Sequence, residues 1–165
     1  MKINILSFTV LLAFITLSHA EMVKDISGEK ITIPNGYKNF RLISVSQRSD
    51  DQTLRAILGN DEAINAVRSG KINPWPNGTI LAKVTWKYKQ SDKFPAATIP
   101  SEFASSAFMI KDDVKFAATG GWGWGEWIGW DQKPYDKPNF AQECIACHTT
   151  VKDQDLVFTK PSNIP

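Results

Sequence analysis

The sequence predicts an α+β domain built mainly of antiparallel β-strands with a few short helices. Segments in which apolar and polar residues alternate, as in half-buried strands, follow turn signals such as Pro34–Gly36 and Pro74–Gly78. One internal segment carries clear helix signals, because Asn60 can cap a helix over Asp61–Arg68 and Gly70 can end it. No repeat, low-complexity tract or linker divides the chain, so a single domain is expected.

Three strands follow from the alternation of apolar residues. The first is expected over Tyr37–Gln47 and the second over Ile80–Tyr88, where the period of two is clearest. The third is expected over Ser105–Ile110, and Asp112 and Asp113 end it. In the second strand one face carries Ile80, Ala82, Val84, Trp86 and Tyr88, and the other face carries Leu81, Lys83, Thr85 and Lys87.

Two further elements are expected towards the C-terminus. The segment Thr119–Trp130 interleaves glycine with tryptophan, so as a strand it leaves one side nearly bare except for Trp127. The other side carries Trp122, Trp124, Glu126, Ile128 and Trp130. A short helix is expected to open after Pro138, with Asn139 and Gln142 at the spacing of a capping box.

The only two cysteines of the chain lie beside one of its two histidines in Cys144–His148. This C-x-x-C-H pattern is that of c-type haem attachment, in which the thiols form thioethers with the haem vinyl groups and the imidazole ligates the iron. A redox dithiol does not need the histidine, and a four-ligand zinc site lacks its other two ligands. We therefore predict one covalently attached haem c, held on the short helix by Cys144 and Cys147 and ligated by His148. A periplasmic dithiol and a chance match are the alternatives.

The first twenty residues have the features of a secretory signal peptide. Lys2 supplies the positive charge, Ile3–Leu17 is mostly apolar, and Ser18–Ala20 places small residues at the cleavage positions. A single apolar run of this length does not predict a membrane span. We expect cleavage after Ala20 and export to a bacterial periplasm, with residues 21–165 forming one haem domain.

The charge distribution limits the classes of binding partner, and the cysteine positions limit how the fold is stabilised. The chain carries 19 basic and 17 acidic residues, a formal net charge of +2, without a charge run or basic stripe. Nucleic acid and anionic membranes are therefore poor partners. Because both cysteines lie in one motif, no long-range disulfide is expected, and the haem and a hydrophobic core must stabilise the fold.

The glycine–tryptophan strand has two interpretations. Glycine inside a strand often marks close approach of a ligand or another backbone, which would make this strand a flat wall against the haem or a second sheet. Aromatic stripes more often bury area, so a tryptophan core is slightly favoured. Glu126 stands among these tryptophans as a candidate catalytic carboxylate whose pKa is raised. Its alternative is an edge residue that reaches solvent or an arginine.

These features together resemble cytochrome P-460 and its relative cytochrome c′-beta, which are β-rich exported proteins with the haem motif near the C-terminus. The resemblance covers nearly all of the chain after the leader. Apart from the haem motif its pieces are individually weak, and their order and spacing carry it. The matching stretches are Gly36–Tyr37, Asn77–Lys83, Ile110–Asp112, Gly121–Trp122, Cys144–His148 and Asp155–Thr159.

The resemblance implies roles residue by residue. Cys144 and Cys147 would hold the haem, and His148 would be its proximal ligand. In the hydroxylamine-oxidising members a strand lysine is cross-linked to the porphyrin, and Lys83 stands at the matching place. A solvated Lys83 is the alternative, because lysines are mostly exposed. Those members also carry a distal glutamate where this chain has Ala107, whose methyl group cannot take a proton from a substrate.

The distal side of the haem can be bounded from composition. His19 lies in the leader, so no second histidine remains for ligation, and Met22 is at a terminus. Met109 is therefore the sole candidate thioether ligand. Alternation places Met109 beside Ala107, with Phe108 on the other face. We favour a five-coordinate iron under an apolar, aromatic cap, with Ala107 and Phe108 among the haem-contacting residues, over His/Met ligation.

Two classes of function remain. One is a periplasmic haem protein that binds or converts small nitrogen oxides such as nitric oxide and hydroxylamine; whether it is an enzyme stays open. The alternative is a periplasmic electron-transfer cytochrome with His/Met ligation, but no methionine follows the haem motif in Thr149–Pro165. The density of glycine, proline and tryptophan also conflicts with the long helices of four-helix cytochromes c′. Family analogy suggests a homodimer, and a periplasmic electron acceptor is a further candidate partner.

Overall fold

The protein is built around one antiparallel sheet of six strands, in which strands adjacent in sequence are adjacent in space. The computed structural model describes residues 23–24 and 29–162, so the expected signal peptide lies outside the described residues. A separate pair is formed by β1 and β2, and the large sheet has the order β3-β4-β5-β6-β7-β8. The strands are β1 (Val23–Lys24), β2 (Lys30–Ile31), β3 (Arg41–Arg48), β4 (Thr53–Gly59), β5 (Ile80–Gln90), β6 (Thr98–Lys111), β7 (Trp122–Ile128) and β8 (Lys133–Pro134).

Two short α-helices complete the domain. α1 (Asp61–Ser69) joins β4 to β5, and α2 (Phe140–His148) follows β8. Three 3₁₀ segments cover Tyr37–Asn39, Ala117–Thr119 and Thr149–Gln154. The predicted fold class, mainly antiparallel β with a few short helices and a C-terminal helix, is confirmed. Among the described helices, none has the length and apolar character needed to cross a membrane.

The helix α1 has the boundaries that its local signals predict. The side-chain oxygen of Asn60 accepts a hydrogen bond from the Ala63 amide at 3.1 Å, and Gly70 ends the helix in the left-handed region with a φ of 68°. The same oxygen also accepts from the amide of Ile80 at 3.0 Å, and its amide nitrogen donates to the carbonyl of Gly78 at 2.8 Å. Asn60 therefore ties the start of α1 to the start of β5.

The observed strands differ from the predicted ones in their bounds, and one strand is additional. The strand expected over Tyr37–Gln47 begins at Arg41, because Tyr37–Asn39 forms a 3₁₀ turn. The strand expected from Ser105 begins earlier, at Thr98. The strand β4 was not predicted: adjacent Ile57 and Leu58 are both partly buried, so the alternation that marks a half-exposed strand is not clean.

Strand register sorts the side chains of the central strands onto two faces. Lys83 pairs with Ala107, and Ala107 pairs with Glu126, so these residues of β5, β6 and β7 form one row. Paired residues of antiparallel strands point to the same side of a sheet. The side that holds this row is called the cavity face below. It carries Leu81, Lys83, Ala107, Met109, Trp124 and Glu126.

Each face is covered by its own hydrophobic cluster. The cluster on the cavity face joins α1 to the C-terminal segment and consists of Ile43, Ala63, Ile64, Ala66, Trp75, Leu81, Trp122, Trp124 and Val157. The cluster on the opposite face consists of Ile31, Ala82, Phe108, Phe116, Trp127 and Phe140. The sheet is thus the middle layer of the domain, and the two clusters leave part of the cavity face open.

The glycines of β7 serve the opposite face. A Cβ at Gly123 would overlap the ring of Phe116, and one at Gly125 would lie 2.8 Å from Cη2 of Trp127. The bare side of the strand is therefore filled by aromatic rings, as the core interpretation predicts, while the cavity face keeps Glu126. The expected tryptophan stripe is wrong at its end, because β7 stops at Ile128 and Trp130 is 79% exposed.

Candidate haem site

A cavity of about 900 Å³ lies between the cavity face and the C-terminal segment. Such a volume is in the range of small-molecule and cofactor sites. The residues that the sequence nominated for the haem site all line this cavity, namely Lys83, Ala107, Phe108, Met109, Glu126, Cys144, Cys147 and His148. Strands distant in sequence and the C-terminal helix therefore bring the nominated residues together.

The helix α2 carries the cysteine motif and is anchored by apolar packing. Phe140 is buried and packs edge-on against Tyr135, with ring centroids 5.3 Å apart. The predicted capping box at Asn139 and Gln142 is wrong, because Asn139 has a φ of 68° and its side chain makes no capping hydrogen bond. Side-chain capping requires an extended backbone at that position, which the left-handed conformation does not provide.

Helical spacing explains how one short helix presents three groups to the cavity. Cys144, Cys147 and His148 lie at positions i, i+3 and i+4, which share one side of a helix. Burial, followed by the charge of Glu126, raises the pKa of the Cys144 thiol to about 11. Redox-active thiols instead have lowered pKa values, so the environment of Cys144 argues against a catalytic dithiol.

The imidazole of His148 is held on three sides. Its Nδ1 lies 2.6 Å from the carbonyl oxygen of Leu156. The rings of Trp124 and Phe158 meet it edge-on, at centroid distances of 4.6 Å and 4.9 Å. Since a carbonyl can only accept, Nδ1 carries the proton and Nε2 keeps the lone pair that a metal requires. Burial lowers the pKa of His148, which favours this neutral form.

These residues fit a haem. The cavity is walled largely by apolar and aromatic side chains, and two thiols stand next to one imidazole that has a free Nε2. Nε1 of Trp124, a buried polar atom of a residue that lines the cavity, has no hydrogen-bond partner within the described chain. Buried polar atoms are usually satisfied, so this one favours an occupant or ordered water in the cavity.

The row across the cavity face consists of an amine, a methyl group and a carboxylate. Lys83 forms no salt bridge with another described residue. Glu126 is half-buried, and its Oε1 accepts a hydrogen bond from Oγ of Ser105 at 2.7 Å. No salt bridge joins Glu126 to an arginine among the described residues, since Arg41 binds Asp61, Arg48 binds Asp50 and Arg55 binds Asp51. Glu126 therefore lines the cavity, and its carboxylate accepts a hydrogen bond from Ser105.

Met109 and Phe108 occupy different environments. Met109 lines the cavity and pairs in register with Trp124, the residue whose ring contacts His148. Phe108 also contributes to the cavity wall, but its ring is buried on the opposite face and packs edge-on against Tyr37 and Trp127. Other rings that line the cavity, including Phe158, belong to the C-terminal part of the chain.

Several residues of the site were not nominated from the sequence. Leu156 acts through its backbone carbonyl and Ser105 through a hydroxyl on an ordinary strand, and neither leaves a mark in the sequence. The signal that was available is positional, because Leu156 and Phe158 lie within Asp155–Thr159, one of the stretches that carry the family resemblance.

A comparison with models of protein families shows to which family the chain belongs. Residues 34–159 match the model for cytochrome P460. The chain belongs to the cytochrome P460 family. The matched range includes every residue that lines the cavity, and membership in this family implies a haem cofactor with its iron. No individually curated protein matches the chain.

Proposed function

We propose that this member of the cytochrome P460 family is an exported, periplasmic c-type monohaem protein whose five-coordinate iron binds small nitrogen oxides, above all nitric oxide. Cys144 and Cys147 would form the thioethers, and His148 would supply a nitrogen ligand to the iron. When bound, the haem would supply an iron that takes a small neutral ligand. The Leu156 carbonyl would orient the histidine, and the cavity wall combines apolar side chains with Arg48, Arg55, Lys83 and Glu126.

The observation that carries this proposal is the location of Met109. It is the sole methionine among residues 23–24 and 29–162, and it lies next to Trp124, whose ring contacts His148. Met109 therefore lies on the same part of the cavity wall as His148. Its thioether would be poorly located to hold the iron together with that histidine, which supports a five-coordinate iron over His/Met ligation.

Electronic spectra of the purified holoprotein test the proposal. We expect a high-spin ferrous form that takes up nitric oxide or carbon monoxide without loss of a protein ligand. Met109→Leu keeps the side-chain volume and removes the sulfur, so its ferrous spectrum should equal that of the unaltered protein. A low-spin ferrous spectrum that becomes high-spin in Met109→Leu would instead establish His/Met ligation and an electron-transfer role.

A second candidate function, conversion of hydroxylamine, is favoured by the register of Glu126. This residue pairs with Ala107, the position at which the resemblance to hydroxylamine-oxidising relatives calls for a distal glutamate. The carboxylate is thus one strand away from that position. Ser105 donates to Oε1, and no described donor reaches Oε2, so Oε2 can take a proton from an N–H or O–H group.

Lys83 bears on the same candidate. An amine without a salt-bridge partner in the cavity wall supports the porphyrin cross-link that the resemblance implies, and a solvated lysine is the alternative. In the cross-linked case the ferrous Soret band is strongly red-shifted and Lys83→Ala restores an ordinary c-type spectrum. In the other case the substitution leaves the spectrum unchanged.

A further inference from the structure

The turn that holds His148 in place is conformationally unfavourable. The carbonyl that binds Nδ1 of His148 belongs to Leu156, and Asp155 and Leu156 both lie in the left-handed region, with φ of 51° and 63°. Residues other than glycine rarely adopt this region, and two in succession require support from the surrounding structure. The support determines where the Leu156 carbonyl points.

Three separate parts of the core hold Asp155. Its Oδ1 accepts from Nζ of Lys111 at 2.9 Å, and its Oδ2 accepts from the backbone amide of Trp75 at 2.8 Å. Its backbone carbonyl accepts from Nε1 of Trp122 at 2.9 Å. Both carboxylate oxygens and the main chain of this one residue are therefore engaged, directly before Leu156.

Lys111 is an unusual partner for such a turn, because its side chain is only 3% exposed. Its ammonium lies over the ring of Trp122 at 5.2 Å and also contacts Asp113 at 3.1 Å. A buried ion pair often stabilises a fold no more than apolar residues would, so its presence calls for another reason. Neither Lys111 nor Asp155 lines the cavity, and neither would touch the haem.

We propose that the Lys111–Asp155 ion pair is a positioning device for the iron ligand. It fixes the left-handed turn so that the Leu156 carbonyl accepts the Nδ1 proton of His148. A hydrogen bond to the outer nitrogen of a ligating imidazole sets the ring orientation and raises the basicity of the inner nitrogen. This inference rests on the proposed ligation of the haem by His148. It also gives a physical role to two stretches of the family resemblance, Ile110–Asp112 and Asp155–Thr159.

The test is Asp155→Asn in the holoprotein, read by the iron–histidine stretching band in resonance Raman spectra of the ferrous form and by the midpoint potential. Asparagine tolerates the left-handed region, so the backbone preference is kept. Its amide offers one acceptor atom where the carboxylate offers two, so either Lys111 or the Trp75 amide loses its partner. We expect the band to shift to lower frequency and the potential to rise, because the imidazole becomes less basic.

Three further variants separate positioning from general stability. Asp113→Asn removes the exposed partner of the same lysine without touching the turn, and it should leave band and potential unchanged. Lys111→Met should reproduce the changes of Asp155→Asn, and Lys111→Arg, which keeps the charge, should largely restore both. Melting temperatures measured alongside report the structural cost of each variant.

The outcomes are distinct. Lower melting temperatures in Asp155→Asn and Lys111→Met with an unchanged band and potential would overturn the positioning role and leave a structural ion pair. If the Lys111 variant does not fold, Asp155→Asn and Asp113→Asn still form a complete comparison. An unaltered ferrous protein that lacks an iron–histidine band would contradict the proposed ligation itself, which is a separate failure.

Discussion

Two residues of the cavity with proposed chemical roles, His148 and Glu126, are held very differently. His148 sits on a helix between two aromatic rings, and its Nδ1 is bonded at 2.6 Å to a turn anchored in the core. Glu126 projects from a strand, and its carboxylate accepts a hydrogen bond from Ser105 at 2.7 Å. One group is immobilised by the fold, and the other is positioned by a single side chain.

This difference shows which part of the site depends on the fold: the orientation of His148 does, and the side chains of the row Lys83–Ala107–Glu126 can vary. A ligand to iron, the role proposed for His148, needs a fixed orientation, and the Leu156 carbonyl and two aromatic rings supply it. The row Lys83–Ala107–Glu126 lies on neighbouring strands whose backbone bonds do not depend on these side chains. Substitutions along this row can therefore change the chemistry of the site without changing the sheet. The sheet can therefore carry a methyl group at Ala107, where the resemblance calls for a carboxylate.

The largest expected effect is loss of haem attachment, and it concerns the helix that carries His148. Cys144→Ala or Cys147→Ala should weaken or abolish haem attachment, because each removes one of two thioethers. The intact mass of the unaltered protein should equal a chain starting near Glu21 plus one haem, and the haem should stay with the protein in acid–acetone. Glu126→Gln, in the strand β7 that also lines the cavity, is the matched control variant, and it should keep its full complement of haem.

Extraction of the haem into the organic layer from the unaltered protein would contradict covalent attachment. A mass that includes the first twenty residues would contradict the predicted cleavage after Ala20. These two results are independent, since haem attachment and leader removal concern opposite ends of the chain.

The next largest expected effect is a change in hydroxylamine turnover, and it concerns the row Lys83–Ala107–Glu126. We expect poor oxidation of hydroxylamine by the unaltered protein, because Ala107 offers no base. Ala107→Glu should raise the rate by about a hundredfold, the lower end of what general-base catalysis contributes. Glutamine has nearly the same shape as glutamate but lacks a basic oxygen, so Ala107→Gln should leave the rate low. Turnover with an artificial electron acceptor measures all three proteins.

Glu126→Gln must accompany that series, because Glu126 is the competing base one strand away. Vigorous hydroxylamine oxidation by the unaltered protein, lost in Glu126→Gln, would assign the base to Glu126 and overturn the preference for a ligand-binding role. Unchanged nitric oxide binding in the same variant would show that only proton transfer was affected.

The parts of this protein that the sequence predicted are those with local signals. The bounds of α1 follow from Asn60 and Gly70, and the haem motif follows from five consecutive residues. The strand β4 was not predicted, because Ile57 and Leu58 are adjacent and both partly buried, so apolar and polar residues do not alternate cleanly there. The capping box at Asn139 failed because the backbone there is left-handed, a property that residue type alone did not reveal.

The site depended on register, which the sequence did not specify. Alternation placed Lys83 on the more polar side of its strand, and the structure makes that side part of the cavity face. The pairing of Ala107 with Glu126 needs the exact alignment of β6 and β7, and a slip of one residue would turn one of them away. Backbone groups such as the Leu156 carbonyl carry no residue-type signal at all.

The smallest expected effect compares two adjacent serines on opposite faces of β6. Ser105 donates to Glu126 at 2.7 Å on the cavity face, and Ser106 donates to Oε1 of Gln132 at 2.6 Å on the opposite face. Ser106 is fully buried, so Ser106→Ala removes a short hydrogen bond to the partly buried Oε1 of Gln132 and should lower the free energy of unfolding by about 1–2 kcal/mol. Ser105→Ala should cost about 1 kcal/mol or less, because water in the cavity can replace the hydroxyl.

Chemical denaturation of the two holoproteins measures these costs, and hydroxylamine turnover measured beside them tests the comparison. Ser105→Ala should change the residual turnover, because Glu126 loses the hydroxyl that orients it, whereas Ser106→Ala should leave turnover unchanged while lowering stability. The reverse pattern, a large loss of stability in Ser105→Ala with unchanged turnover, would mean that the Ser105–Glu126 bond is part of the packed structure. Glu126 would then belong with His148 among the groups that the fold immobilises, and the contrast between the two sides of the cavity would fail.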